Sequence, residues 1–104
     1  MSAVLDHRIT NRQTIRQGKP CIEGRRIAVQ DIVIWHERLG MSPDEIASEY
    51  DLSLSDIYIA LAYYFANRAL IDESIRNDDA FAQDLKKKSI SVLQQKLKKL
   101  ANTD

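Results

Sequence analysis

The hydrophobic pattern changes character three times along the chain. Residues 9–28 set Ile9, Ile15, Ile22 and Ile27 among polar neighbours, punctuated by Gly18-Lys19-Pro20 and Glu23-Gly24-Arg25. β-Branched residues in this setting predict short strands and turns. Pro20 lacks an amide donor and belongs at an edge or a strand start. Strands this short need a partner: each other, the helices or a second chain. From Val29 the spacing becomes helical, with Val29, Ile32, Val33, His36 and Leu39 on one face. Asp31 and Arg38 suit opposite ends of the helix dipole, and Gly40 is placed for a left-handed cap.

Two helix starts follow. In Met41-Ser42-Pro43-Asp44-Glu45-Ile46, Ser42 is an N-cap, Pro43 suits the first helical position, and Glu45 closes a capping box. Met41 and Ile46 are spaced for a hydrophobic staple. The pattern recurs in Leu52-Ser53-Leu54-Ser55-Asp56-Ile57, with Ser53 as cap and Asp56 as a weaker box partner. Helices over about 43–50 and 54–67 joined by a tight turn have helix-turn-helix spacing. Asp51 occupies the turn position where glycine is common, and aspartate tolerates the left-handed conformation. After Asn67, Ile71 and Ile75 sit one turn apart, and Asp78-Asp79 predicts an interruption or a cap. Phe81, Leu85, Ile90, Leu93, Leu97 and Leu100 then form an amphipathic row whose last four members have heptad-like spacing.

The predicted architecture is mainly α. It has a homeodomain-like helix-turn-helix core with short N-terminal β strands over residues 1–79 and a C-terminal amphipathic extension over 80–104. A length of 104 residues fits one domain plus an appended element. The single cysteine, Cys21, excludes an internal disulfide and fits a reducing compartment. No apolar run approaches the roughly 18 residues of a membrane span. Met1 to Arg8 has no apolar segment of signal-peptide type, so no membrane role and a cytoplasmic location are expected. The net charge is zero, but its distribution is not uniform: residues 1–40 carry +3, 41–67 carry −5, and 68–104 carry +2. The acidic block lies on the helix-turn-helix segment, where it bears on any contact with nucleic acid.

Several of these residues together carry a family resemblance. Gly18-Lys19-Pro20-x-Ile22-x-Gly24-x-Arg26-Ile27-x-Val29, then Gly40-Met41-Ser42-Pro43-x-Glu45-Ile46, then Leu54-x-x-x-Ile57-x-x-Ala60-Leu61-x-Tyr63-Tyr64 resemble, in order, the signature of the domain-of-unknown-function 433 family. The resemblance spans about residues 9–77. Arg25 departs from it, since the family usually has threonine there. The resemblance implies an antitoxin-like protein of homeodomain-like fold, encoded beside a nuclease-like partner related to the PilT N-terminus fold.

Catalytic chemistry finds little support. His7, Cys21 and His36 are scattered, with no pair at metal-ligand spacing. Cys21 has no base placed to activate it, and His36 falls on an apolar helix face. No glycine-rich phosphate loop opens a helix. No metal, no cofactor and no enzymatic activity are expected.

Binding is better supported. The second helix of the corner presents Ser53, Leu54, Ser55, Tyr58, Ile59 and Ala62 outward, none of them a usual base reader. With a charge of −5 around it, this corner reads as a packing or protein-binding face before a major-groove reader. The stronger DNA candidates are Arg8, Arg12, Arg16, Lys19, Arg25 and Arg26. Arg12 and Arg16, an even number apart, would share a strand face in a ribbon built from two chains. A solvated edge that discourages aggregation is the alternative.

The C-terminal row reads as a partner or dimer interface through Phe81, Leu85, Leu93, Leu97 and Leu100, with Tyr58 and Ile59 adding to it. Packing back on the core, or onto an acidic groove or DNA, are the other options. The expectation is a homodimeric, antitoxin-like regulator that occludes a nuclease-like partner through residues 71–100 and regulates its own promoter by binding duplex DNA. The alternatives are a stand-alone DNA-binding regulator and a dimeric structural or adaptor module.

Overall fold

The computed structural model describes residues 8–101; the stretch read for a targeting signal, residues 1–7 with His7, lies outside them. The chain is mainly α, with a small sheet near its start, as the pattern predicts. Strands β1 (Ile9–Thr10) and β2 (Cys21–Ile22) pair antiparallel, Ile9 opposite Ile22 and Thr10 opposite Cys21. On its other side β2 meets the segment entering the first helix: Ile22 N–H donates to the Ile27 carbonyl at 2.9 Å, and Cys21 bridges Ala28. Pro20 stands just before β2, where its missing amide costs nothing, and its carbonyl accepts from Val29 N–H at 2.8 Å.

Helix α1 (Val29–Val33) starts with the Asp31 carboxylate accepting from Ala28 N–H at 3.0 Å. The sequence predicts α-helical spacing through Leu39. Instead, Ile34–Arg38 form a wider π-helical turn, in which Leu39 N–H reaches back to the Ile34 carbonyl at 3.1 Å. Trp35, within this turn, stacks face to face on Tyr50 with ring centroids 3.7 Å apart. His36, placed by its spacing on an apolar helix face, is half-buried, with Nδ1 2.8 Å from the Met41 carbonyl. Gly40 takes the left-handed conformation at φ +71°, ending the element as its position predicts.

Helices α2 (Pro43–Tyr50) and α3 (Leu54–Ala66) form the helix-turn-helix corner. The first start is a complete capping box: Ser42 Oγ accepts from Glu45 N–H, and Glu45 accepts from Ser42 N–H, both at 3.1 Å. Asp51 turns the chain at φ +54°. Ser53 caps α3 by accepting from Asp56 N–H at 3.1 Å. The expected reciprocal bond from Asp56 is not made, because Arg8 takes its carboxylate.

The final helix α4 (Arg68–Ala101) runs uninterrupted through Asp78 and Asp79. Both residues have ordinary helix tolerance in an exposed stretch, so an acidic pair does not by itself end a helix.

The chain divides into two compact units between Asp72 and Glu73. In the first, Ile22, Ile32, Ile46 and Ile57 are at most 1% exposed, so sheet, α1, α2 and α3 share one core. Burying each of these side chains contributes about 1.5–3 kcal/mol. Tyr64 closes this unit near its end, with its hydroxyl donating to Asp72 at 2.8 Å. Burial, and then that hydrogen bond, push its phenol pKa up. The second unit, over its described residues 73–101, is a helical segment with Lys88 paired to Asp84 one turn back at 3.0 Å. No helix among the described residues is long and apolar enough to cross a membrane.

Candidate functional site

The six basic residues read as DNA contacts have separate tasks in the structure. Arg8 binds the Asp56 carboxylate through two nitrogens, at 2.9 and 2.8 Å, across 48 residues of sequence. That bond and the charge of Asp56 raise the Arg8 pKa further. Asp56 is 7% exposed, so the pair fastens the strand region to the first turn of α3. Arg25 donates to the carbonyls of Tyr50 and Asp51, both at 2.9 Å, and so satisfies the open end of α2. Arg12 reaches Glu23 at 3.3 Å from an exposed position, a contact of little energetic weight.

Arg16, Lys19 and Arg26 are drawn together. The Arg16 guanidinium holds Asp31 at 2.6 and 3.2 Å and also donates to the Arg26 carbonyl at 2.9 Å. Arg12 and Arg16 do not share a strand: β1 ends at Thr10, and Arg16 opens a tight turn at φ +50°. Gln17 and Gly18 follow at +60° and +81°, so three consecutive residues are left-handed. For the two non-glycine residues this costs on the order of 1–3 kcal/mol each, sustained by the contacts around them. With Gln13, Thr14 and Gln17, these three cations line an open hollow of about 440 Å³.

Cys21 lies under this region, 2% exposed. Burial pushes its thiol pKa up; the charge of Arg16 pulls it down, that of Asp31 pushes it up, and those of Arg26 and Lys19 pull it down more weakly.

The outer face of α3 is apolar. Leu54, Tyr58 and Phe65 are 43%, 58% and 59% exposed, and Ala62 lies between them on the same side. Ile59, expected on this face, is half-buried instead, since its direction turns toward the edge of the core. Phe65 was not anticipated in the sequence, although its spacing from Tyr58 and Ala62 places it on that side. Asp44, Glu45, Glu49 and Asp51 are also exposed on the corner. Arg68 lies 5.9 Å from the Phe65 ring and 5.6 Å from that of Tyr64.

From Phe81 onward every large apolar side chain of α4 is exposed. Phe81 and Leu100 are at 66% and 70%, and Leu85, Leu93 and Leu97 lie between 49% and 56%. Leu85, Val92 and Leu93, with Lys88, Ser89 and Lys96, edge a shallow groove along the helix. Residues 80–101 carry six lysines against the single acid Asp84.

A family model described as "Protein of unknown function (DUF433)" matches residues 9–64, just over half of the chain. The chain belongs to the DUF433 family. It is also similar to a DUF433 member protein from Anabaena variabilis ATCC 29413, solved as a crystal structure at 2.00 Å. The TM-score is 0.64 at 26% identity, over 72% of this chain and 74% of that one. No curated protein matches.

The DUF433 match contains the hollow, the sheet and the helix-turn-helix corner, and ends within α3. The exposed row of α4 lies beyond it. At the position where the resemblance leads one to expect threonine, Arg25 adds the cap on α2. Gln13 and Gln17 were missed as site residues because isolated glutamines in a polar segment carry no sequence signal. The Arg8–Asp56 pair was missed because no local rule links residues 48 positions apart.

Proposed function

We propose that this DUF433 protein is a non-catalytic, antitoxin-like binding protein of the cytoplasm. It acts as a homodimer that occupies and silences a nuclease-like protein partner. The observation that carries this reading is the exposed apolar row of α4 from Phe81 to Leu100. An amphipathic helix with such a row gains most by laying it in a partner's apolar groove. Five large side chains that are about half exposed or more leave apolar area that folding of the chain alone does not bury. The surrounding lysines favour a partner groove with acidic walls. The nuclease-like identity of the partner comes from the family resemblance.

Copurification of this chain with the product of its neighbouring gene tests the proposal. Wild type retains the partner through a wash at moderate salt, and the Leu93→Ser, Leu97→Ser double variant loses it while keeping its helix content. Retention by the double variant would contradict the role given to the row.

Regulation through duplex DNA is the second reading, supported by the cluster of Arg16, Lys19 and Arg26. The apolar outer face of α3 and the acids beside it weigh against base reading by that helix. On this reading the helix-turn-helix corner is a protein-binding surface, and any contact with DNA falls to the basic cluster.

A further inference from the structure

We infer that the outer face of α3 is the surface on which two copies of this chain meet, packed antiparallel about a two-fold axis. The inference rests on the homodimer of the reading above and is independent of the nuclease-like partner. A helix at the surface of a globular protein ordinarily turns charged residues to water. α3 does the reverse. Its exposed residues are Leu54, Ser55, Tyr58, Ala62, Phe65 and Ala66, all uncharged. Its one charged residue, Asp56, is buried and held by Arg8. Two of the six are aromatic, and both rings are more than half exposed. Few charges and many aromatic rings mark the covered centre of a protein interface.

The face is also self-complementary. In a two-fold contact, each residue that meets a second residue of the other copy is met by its own counterpart in return. Leu54 and Phe65 lie almost equally far from the middle of α3, and so do Tyr58 and Ala62. A two-fold axis beside Ile59 and Ala60 therefore sets Leu54 against Phe65 of the second copy and Tyr58 against Ala62 of the second copy. Both central contacts place a large ring over a methyl group, which lets the two helices interdigitate.

The charges at the two ends of the face fix its direction. Glu49 and Asp51 stand exposed just before α3, and Arg68 just after it. The Arg68 side chain is 65% exposed, although its Nε lies 3.8 Å from Asp72. Parallel packing would bring acid onto acid and arginine onto arginine. Antiparallel packing turns Arg68 of each copy toward Glu49 and Asp51 of the other. A single helix face is smaller than the roughly 800 Å² that each partner gives to a standard interface, so the dimer is expected at micromolar Kd.

The test is sedimentation equilibrium of the full chain from roughly 1 μM to 1 mM. Ala62→Arg places a charge at the centre of the face and is expected to raise the dimer Kd at least about tenfold, with helix content kept. Tyr58→Ser, which adds no charge, is expected to weaken the dimer in the same direction. Arg68→Glu is expected to raise Kd about threefold or more at low salt. The Leu93→Ser, Leu97→Ser variant is expected to dimerise as wild type does.

If Ala62→Arg and Tyr58→Ser fold and dimerise as wild type while the α4 variant becomes monomeric, the homodimer stands and this inference is overturned. An unchanged Kd in Arg68→Glu would overturn the antiparallel direction. A wild-type chain that stays monomeric throughout the range would remove the homodimer and the inference together.

Discussion

The unit that ends at Asp72 and the helical segment after it use similar apolar residues to opposite ends. In the first, isoleucines from a two-residue strand and three helices meet in one core, and long-range bonds such as Arg8–Asp56 and Arg25–Tyr50 fasten its parts. In the second, leucines at helical spacing remain exposed along α4, and the Lys88–Asp84 ion pair links residues one turn apart. The difference teaches that amphipathic spacing specifies a helix with an apolar face, but not what covers that face. A core needs chain that returns, and turns that make it return. Gly18, Gly24, Gly40 and Asp51, all left-handed, belong to the first unit, while residues 73–104 contain no glycine or proline.

The sharpest way to break the comparison is to truncate one apolar side chain on each side of it. Ile57→Ala, at a fully buried position, is expected to cost about 2–5 kcal/mol in urea denaturation. Leu97→Ala, at a 56% exposed position, is expected to change folding stability by no more than about 0.5 kcal/mol. Equal costs would mean that α4 is held by the chain's own core and has no surface to offer.

The next effect separates the two helix starts within the first unit. Ser42 takes part in two reciprocal bonds and Ser53 in one. Ser42→Ala is therefore expected to cost about 1 kcal/mol or slightly more, and Ser53→Ala less. Denaturation midpoints of the two variants would rank them, and the reverse order would deny the capping box its role.

These starts are also where the sequence was most legible. Ser42-Pro43 and Ser53 marked helix beginnings correctly because capping is local chemistry, readable within four residues. The left-handed turn at Asp51 and the cap at Gly40 were legible for the same reason. What the sequence hid was long-range. Asp56 looked like a box partner until Arg8 arrived from 48 residues away to claim it. The π-helical turn at Ile34–Arg38 was invisible to a 3.6-residue period. In the basic set, spacing suggested that Arg12 and Arg16 lie on one strand, but the left-handed turn from Arg16 to Gly18 instead brought Arg16 to Asp31 and the Arg26 carbonyl. Charge marked the region, and only the fold sorted its members into Arg8 and Arg25 as fasteners and Arg16, Lys19 and Arg26 as the lining of one hollow.

Two smaller effects sharpen the picture of the first unit. Arg25→Thr removes two hydrogen bonds to the end of α2, partly exposed to water, and is expected to lower stability by about 1 kcal/mol or less. Native-state hydrogen exchange should locate the loss at the end of α2, leaving α4 amides unaffected.

The smallest effect concerns pH. Burial raises the Cys21 thiol pKa above its ordinary value of 9.0, so the folded chain binds that proton more tightly than the unfolded chain. The stability it contributes is fully present below the ordinary value and is lost as pH rises through the raised one. Cys21→Ala should flatten this alkaline decline in urea midpoint, and an unchanged slope would mean that the thiol is not the titrating group.

The central claim is that α4 presents its apolar row to a nuclease-like partner. The most direct measurement is an RNA-cleavage assay on the neighbouring gene product, purified with and without this chain. The account predicts a silent complex, cleavage once the chain is removed, and silence restored by wild type but not by the Leu93→Ser, Leu97→Ser variant. A neighbouring protein that never copurifies with the chain, or that cleaves RNA equally in its presence and absence, would contradict it.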